Sequence, residues 1–167
     1  TTVIYPSQGK AVVLHDGLNI CSERTCNFSL NGKLTIWAAQ HHPLTLEPLA
    51  ARAYELAALA SSESAGVTLL LMELPTPSAA VVQAVEAAVS WFSEKQILDT
   101  KVERDDKGMR LVAAPGAKPL WARFYDLKNQ QPLFVDRGGS IKAKGKVCTA
   151  KVIVHCLRNA DRWNAML

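Results

Sequence analysis

The residues in this chain best equipped for chemistry are its arginines. Trp121-Ala122-Arg123-Phe124-Tyr125-Asp126 sets one arginine among aromatics, and Arg137 follows fourteen residues later. A guanidinium presents a planar fork of donors that captures a carboxylate in two parallel hydrogen bonds. Adjacent aromatic rings offer flat faces to a sugar or a base. The competing reading pairs these arginines with Asp126 or Asp136 and packs their stems on the core. On residue types alone that ion-pair reading has precedence. His41-His42 invites a metal, yet adjacent side chains seldom point at one ion, and a loop pair accounts for them as well. Phosphate loops, nucleophile elbows, H-E-x-x-H and spaced calcium-loop acids are all missing from the sequence.

The four cysteines fall into two close pairs, Cys21 with Cys26 and Cys148 with Cys156, and neither has zinc-knuckle spacing. Two disulfides and buried free thiols both remain open. Asn27-Phe28-Ser29 satisfies the glycosylation sequon, a pattern that chance produces often. The chain begins at Thr1 with no visible signal peptide, which fits either a removed leader or a fragment.

The elements that must position these residues are read from periodicity and turn signals. Residues 1–35 give only short β-favouring runs and turns at His15-Asp16-Gly17 and Asn31-Gly32. Leucine and alanine enrichment around Pro48 suggests a helix over 48–60. A second helix is expected from Ser62 to Leu74, with the serines at 61–62 offering an N-cap. Pro75-Thr76-Pro77 stops it, and Ser78 caps another running to about Lys95. The stripe Val81, Val85, Ala88, Val89 and Phe92 marks that last helix's buried face. The short break predicts antiparallel neighbours. Alternation on both sides of Asp105-Asp106-Lys107-Gly108 predicts a hairpin over 101–112, and Leu120–Tyr125 and Leu133–Val135 read as extended pieces.

With 167 residues the chain is expected to form a single domain, 1–167, large enough to hold a core without staples. Hydrophobic residues at 49% and charged residues at 20% exclude wholesale disorder. No apolar run approaches a membrane span. The net charge of +4 leans toward acidic partners, but it is too small and too scattered to indicate nucleic acid.

Several stretches together resemble polysaccharide lyase family ten, the pectate lyases. They are Trp37-Ala-Ala-Gln40-His41, Thr45-Leu-Glu-Pro48, Ala51-Arg52-Ala53-Tyr54-Glu55 and Ser62-Glu63-Ser64. Pro75-Thr-Pro-Ser78, Trp91-Phe92, Pro119-Leu-Trp-Ala-Arg-Phe-Tyr-Asp126, Pro132-Leu-Phe134 and Asp136-Arg137 continue the pattern. The resemblance spans residues 31–139 and leaves 1–30 and 140–167 unassigned. The chain departs from the family pattern at His42 and Gly138, where an acid is usual, and at Gln131, where an arginine is usual. The family's catalytic domains are longer, so this chain is expected to correspond to their C-terminal half.

The resemblance implies a mainly α fold, part of an (α/α) toroid-like helical domain with short β-strands or a hairpin, and, against the helix suggested by composition over 48–60, a loop facing the cleft for the Arg52 segment. It implies calcium-assisted β-elimination on polygalacturonate or another acidic polysaccharide, outside the cytoplasm (secreted or periplasmic), giving unsaturated oligogalacturonides. Arg52 matches the family's presumed base, although a guanidinium ordinarily keeps its proton up to about pH 12 or beyond. Steadying negative charge while solvent takes the proton is the other role open to it. Arg123 and Arg137 match carboxylate-binding positions, with Tyr125 as a further substrate contact. Calcium is implied without identified ligands. A noncatalytic uronate-binding relic and a purely structural domain are the alternatives. Neither nucleic acid nor a membrane is expected as a partner.

Overall fold

The computed structural model describes residues 3–4, 13–14, 29–30, 32–42, 45–105, 108–135 and 139–142. In chain order these form β1 (Val3–Ile4), β2 (Val13–Leu14), β3 (Ser29–Leu30), β4 (Lys33–Leu34) and β5 (Leu59–Ala60). Then come α1 (Ser61–Met72), α2 (Ala79–Glu94), β6 (Thr100–Asp105), β7 (Gly108–Ala113), β8 (Phe124–Tyr125), β9 (Pro132–Val135) and β10 (Ile141–Lys142). The cysteines, Asn27 and Arg137 lie outside the described residues.

The expectation of a mainly α toroid is overturned. Among the described residues there are two helices, and the strands form four antiparallel sheets. The physical reason is visible between Pro48 and Ala60. Leucine and alanine there favour burial as much as helix, and the backbone takes another course. Leu46 has φ +60°, the Ala51 N–H donates to the Glu55 carbonyl, and the Glu55 N–H donates to the Arg52 carbonyl. That closes a tight loop where a helix was expected. The run ends with Ala58, Leu59 and Ala60 fully buried, the last two as strand β5.

β5 starts the four-stranded sheet, whose spatial order is β10-β9-β8-β5. Leu59 pairs with Tyr125 and Ala60 with Phe124, and Phe124 pairs in turn with Leu133. The chain passes directly from β5 into α1. The cap residue of α1 is Ala60, with no side-chain cap. The Ser61 hydroxyl, expected as a cap, instead donates to the Ala122 carbonyl at 2.6 Å. α1 buries Ser61, Ser64, Ala65, Thr68 and Leu71, one helical face made mostly of small and hydroxylated residues. Ser64 Oγ accepts from the Trp37 N–H at 2.9 Å and donates to the Trp37 carbonyl at 3.0 Å. The segment before β5 is thereby bound to the helix.

α2 keeps the expected stripe, with Val81, Val85, Ala88 and Phe92 buried, and Ser78 Oγ accepts from the Val81 N–H. Leu71 near the end of α1 clusters with Val81, Ala84 and Val85 near the start of α2. Ala65 near the start of α1 clusters with Ala88 and Phe92 near the end of α2. The two helices therefore run antiparallel, as the short break requires. The hairpin is also present, paired from Thr100↔Ala113 to Asp105↔Gly108. The core between helices and sheet is aromatic. Trp91 meets Tyr125 edge-on at 4.7 Å and Phe92 meets Trp121 at 6.2 Å. Trp121 Nε1 donates to the Phe92 carbonyl at 2.8 Å, so the ring's polar edge is satisfied inside the core.

Candidate functional site

Arg123 immediately precedes β8, and its carbonyl accepts from the Ser61 N–H at the start of α1. This pairing aims the guanidinium across the first turn of the helix. Arg123 Nη2 donates to Glu63 Oε1 at 2.9 Å and to Glu55 Oε1 at 3.3 Å, while its Cζ lies 4.7 Å from the centre of the Phe124 ring. The neighbouring Asp126 is not its partner. Asp126 Oδ1 accepts from the Lys128 and Asn129 N–H groups and shapes the β8–β9 turn.

Glu55 connects this arginine to a second one. Its Oε2 stands 3.7 Å from Arg52 Nε, and Arg52 Nη1 donates to the Tyr54 hydroxyl at 2.6 Å. Glu55 is 10% exposed and Arg52 is 67% exposed, so a nearly buried carboxylate joins a sheltered guanidinium to an open one. The Tyr54 hydrogen bond first, and the Glu55 charge second, push the Arg52 pKa above its ordinary value. In the free protein Arg52 is a cation. Glu63 Oε2 and Arg123 Nε are buried without hydrogen-bond partners, so the cluster keeps one acceptor and one donor unused.

The tight 51–55 loop is braced from outside by Gly139. Its φ is +86°, and a Cβ placed on it would lie 2.5 Å from the Ala53 carbonyl oxygen. Only a residue without a side chain lets the backbone come so close to Ala53, the residue after Arg52.

The structure thus brings Arg52 and Arg123 together although they stand 71 positions apart, while Arg137 lies outside the described residues. Tyr125 is placed differently from the substrate contact that the resemblance suggests. It is fully buried, donating to the Lys95 carbonyl at 3.2 Å and accepting from the Ala122 N–H at 3.1 Å. Burial pushes its pKa up, and a phenol so enclosed supports the sheet. The sequence reading gave no role to Tyr54, Glu55 or Glu63, although all three stand inside the motifs it quoted.

The histidine pair serves the loop. His41 Nδ1–H donates to the Leu46 carbonyl at 2.7 Å and Nε2 accepts from the Ala38 N–H at 3.1 Å, while His42 Nδ1 accepts from the Thr45 N–H. Among the described residues no three His, Cys, Asp or Glu side chains converge as metal ligands. Glu55 and Glu63 are both committed to Arg123, so the cluster does not fit a calcium ion. A separate groove of about 520 Å³, lined by Lys33, Thr35, Trp91, Lys95 and Lys128 among others, includes neither arginine.

Two arginines joined by the shared carboxylate of Glu55, with the open guanidinium of Arg52 beside the Tyr54 hydroxyl, form a site suited to an anionic ligand. The comparisons narrow that class. Residues 10–163 match the pectic acid lyase family, to which this chain belongs. The match extends beyond 31–139 on both sides. A family 10 polysaccharide lyase from Cellvibrio cellulosa is similar at 37% identity over 71% of this chain, with a TM-score of 0.63. A point variant of a family 10 polysaccharide lyase from the same organism, solved in complex with trigalacturonic acid, is similar at the same identity, coverage and TM-score. This chain covers 37% and 38% of those two structures. No curated protein matches.

Proposed function

We propose that this chain carries part of the uronate-handling site of a lyase that cleaves polygalacturonate by β-elimination outside the cytoplasm, releasing unsaturated oligogalacturonides. The observation that carries this reading is the junction at Glu55, where Arg52 and Arg123 meet from distant parts of the chain. Elimination removes the C5 proton of a uronate and places negative charge on its C6 carboxylate before the C4–O bond breaks. An exposed guanidinium gains most from that charge, because it meets the carboxylate without giving up a buried partner. Arg52 is the exposed one. Arg123, held by two carboxylates, supports Glu55 and the loop behind it. The trigalacturonic acid bound by the similar Cellvibrio cellulosa variant supports an acidic saccharide as the ligand.

Calcium belongs to this proposal as an ion brought in by the substrate's carboxylates, since the described donor set does not fit one unaided. No step is assigned to it. The test is incubation of the protein with polygalacturonate and calcium at alkaline pH, following the ultraviolet absorbance of unsaturated uronides. Product that disappears with Arg52→Ala is the expected result, and absence of product from the unaltered chain rejects a lyase.

A second reading, a uronate-binding module without catalysis, is favoured by one observation: Arg123 is already neutralised by Glu55 and Glu63. Binding of oligogalacturonides by calorimetry, with no unsaturated product, would establish it.

A further inference from the structure

We propose that the groove between β4, the end of α2 and the β8–β9 turn is a second binding site, separate from the arginine cluster, for a short uronate-bearing oligosaccharide. The choice of a uronate rests on the lyase reading above, and the site itself rests on the groove. Its volume of about 520 Å³ falls within the roughly 300–1,000 Å³ of small-ligand sites. Three distant stretches build it: Lys33 on β4 with Thr35 just after it, Trp91 and Lys95 at the end of α2, and Lys128 and Gln130 in the turn. The turn is set in advance. Trp91 Nε1 donates to Gln130 Oε1 at 2.9 Å, and the Gln130 N–H donates to the Asp126 carbonyl at 2.9 Å. Gln130 also holds a φ of +54°, which a residue with a side chain keeps only where its surroundings fix it. With the amide oxygen taken by Trp91, the Gln130 amide keeps its NH2 as a donor.

The charge of the groove is positive. Lys33, Lys95 and Lys128 line it against a single carboxylate, Glu94. That acid is already engaged, because Glu94 Oε1 lies 3.4 Å from Lys33 Nζ and accepts from the Ser90 hydroxyl at 3.5 Å. Among the described residues Lys95 and Lys128 have no ion-pair partner. Excess cations in a concave, partly apolar wall raise the local concentration of anions. Thr35 is an independent sign of a polar ligand. It is 4% exposed, and its hydroxyl is buried without a hydrogen-bond partner. Buried hydroxyls are ordinarily paired, and a sugar hydroxyl entering the groove gives this one a partner. Trp91 adds a small area of ring for the C–H face of a pyranose. A uronate chain meets all of these at once, with carboxylates for the ammonium groups, hydroxyls for Thr35 and the amide, and C–H faces for the indole. A simple inorganic anion meets only the charge.

The test titrates the full chain with trigalacturonate, without added calcium, and follows backbone amide resonances by NMR. Those of Lys33, Asn129 and Gln130 are expected to move together along one binding curve. The double variant Lys95→Gln, Lys128→Gln removes charge from the groove at positions outside the arginine cluster. It is expected to keep the thermal melt and to weaken binding read at those resonances by about tenfold or more. The methyl-esterified trimer, which lacks the carboxylates, is expected to bind the unaltered chain more weakly by a similar factor. The proposal is overturned if the groove resonances stay still, or if the double variant binds as the unaltered chain does. It is equally overturned if inorganic phosphate or the neutral ester moves them at the same concentrations. Absence of unsaturated product in the absorbance assay rejects the lyase and not the groove, because this titration reads binding alone.

Discussion

At the scale of single residues, the same five-residue pattern serves two ends. Ala51-Arg52-Ala53-Tyr54-Glu55 and Ala122-Arg123-Phe124-Tyr125-Asp126 both read alanine, arginine, any residue, tyrosine, acid. In the first the tyrosine faces the arginine and the acid joins two guanidinium groups. In the second the tyrosine is sealed in the core and the acid shapes a turn. Glu55 is the residue on which the cluster depends. Glu55→Ala leaves Arg123 with Glu63 alone and Arg52 with Tyr54 alone. Because Arg123 is only 22% exposed, the loss is expected to cost about 1–3 kcal/mol in urea unfolding, together with the response of activity to Arg52→Ala. Unchanged stability would show that the carboxylate holds nothing. His41 gives a pH prediction. Burial lowers its pKa from 6.5, so the folded state prefers the neutral ring that bridges Leu46 and Ala38. Its contribution is complete above about 6.5 and is lost as pH falls through the lower folded pKa. Thermal melts should show the unaltered protein losing stability in that window more steeply than His41→Gln.

At the scale of elements, α2 was legible because its buried residues recur with a single helical period and its cap is a serine followed by good helix formers. Val85 has no exposure at all and packs with Leu71 and Val81. Val85→Asp buries a charge with no partner and is expected to cost on the order of 3 kcal/mol or more in a thermal or urea melt. No measurable loss would mean that the stripe does not face the core. α1 was legible in extent but not in orientation. Leu70 is 39% exposed, and the covered face is Ser61, Ser64, Ala65, Thr68 and Leu71. Hydroxyls can be buried there because Trp37 and Ala122 present backbone groups to receive them. No single-sequence pattern reports that partner. Composition misled over 48–60 for a related reason, since it registers burial and leaves the choice between loop, strand and helix to neighbours, whereas the loop that the resemblance implies for the Arg52 segment is present.

At the scale of the whole molecule, two parts of the chain far apart in sequence press on the 51–55 loop: Arg123 through Glu55, and Gly139 through Ala53. Gly139→Ala brings a methyl group within 2.5 Å of the Ala53 carbonyl at a φ of +86°. The loop must move, so uronide release is expected to fall several-fold or more, while β6–β7 and the α1–α2 pair keep their protection from hydrogen exchange. Equal activity in that variant would show that the Arg52 loop does not need this brace. The sequence by itself determined the family, the two helices and the hairpin, because motifs, caps and periodicity are local properties that any window of the chain displays. The tertiary structure decided the rest. It replaced the toroid by antiparallel sheets, drew Tyr125 into the core, and joined Arg52 to Arg123 through Glu55. Those outcomes depend on which backbone groups and charges meet across 60 or more positions, as Arg123 meets Glu63, and such meetings leave no local trace.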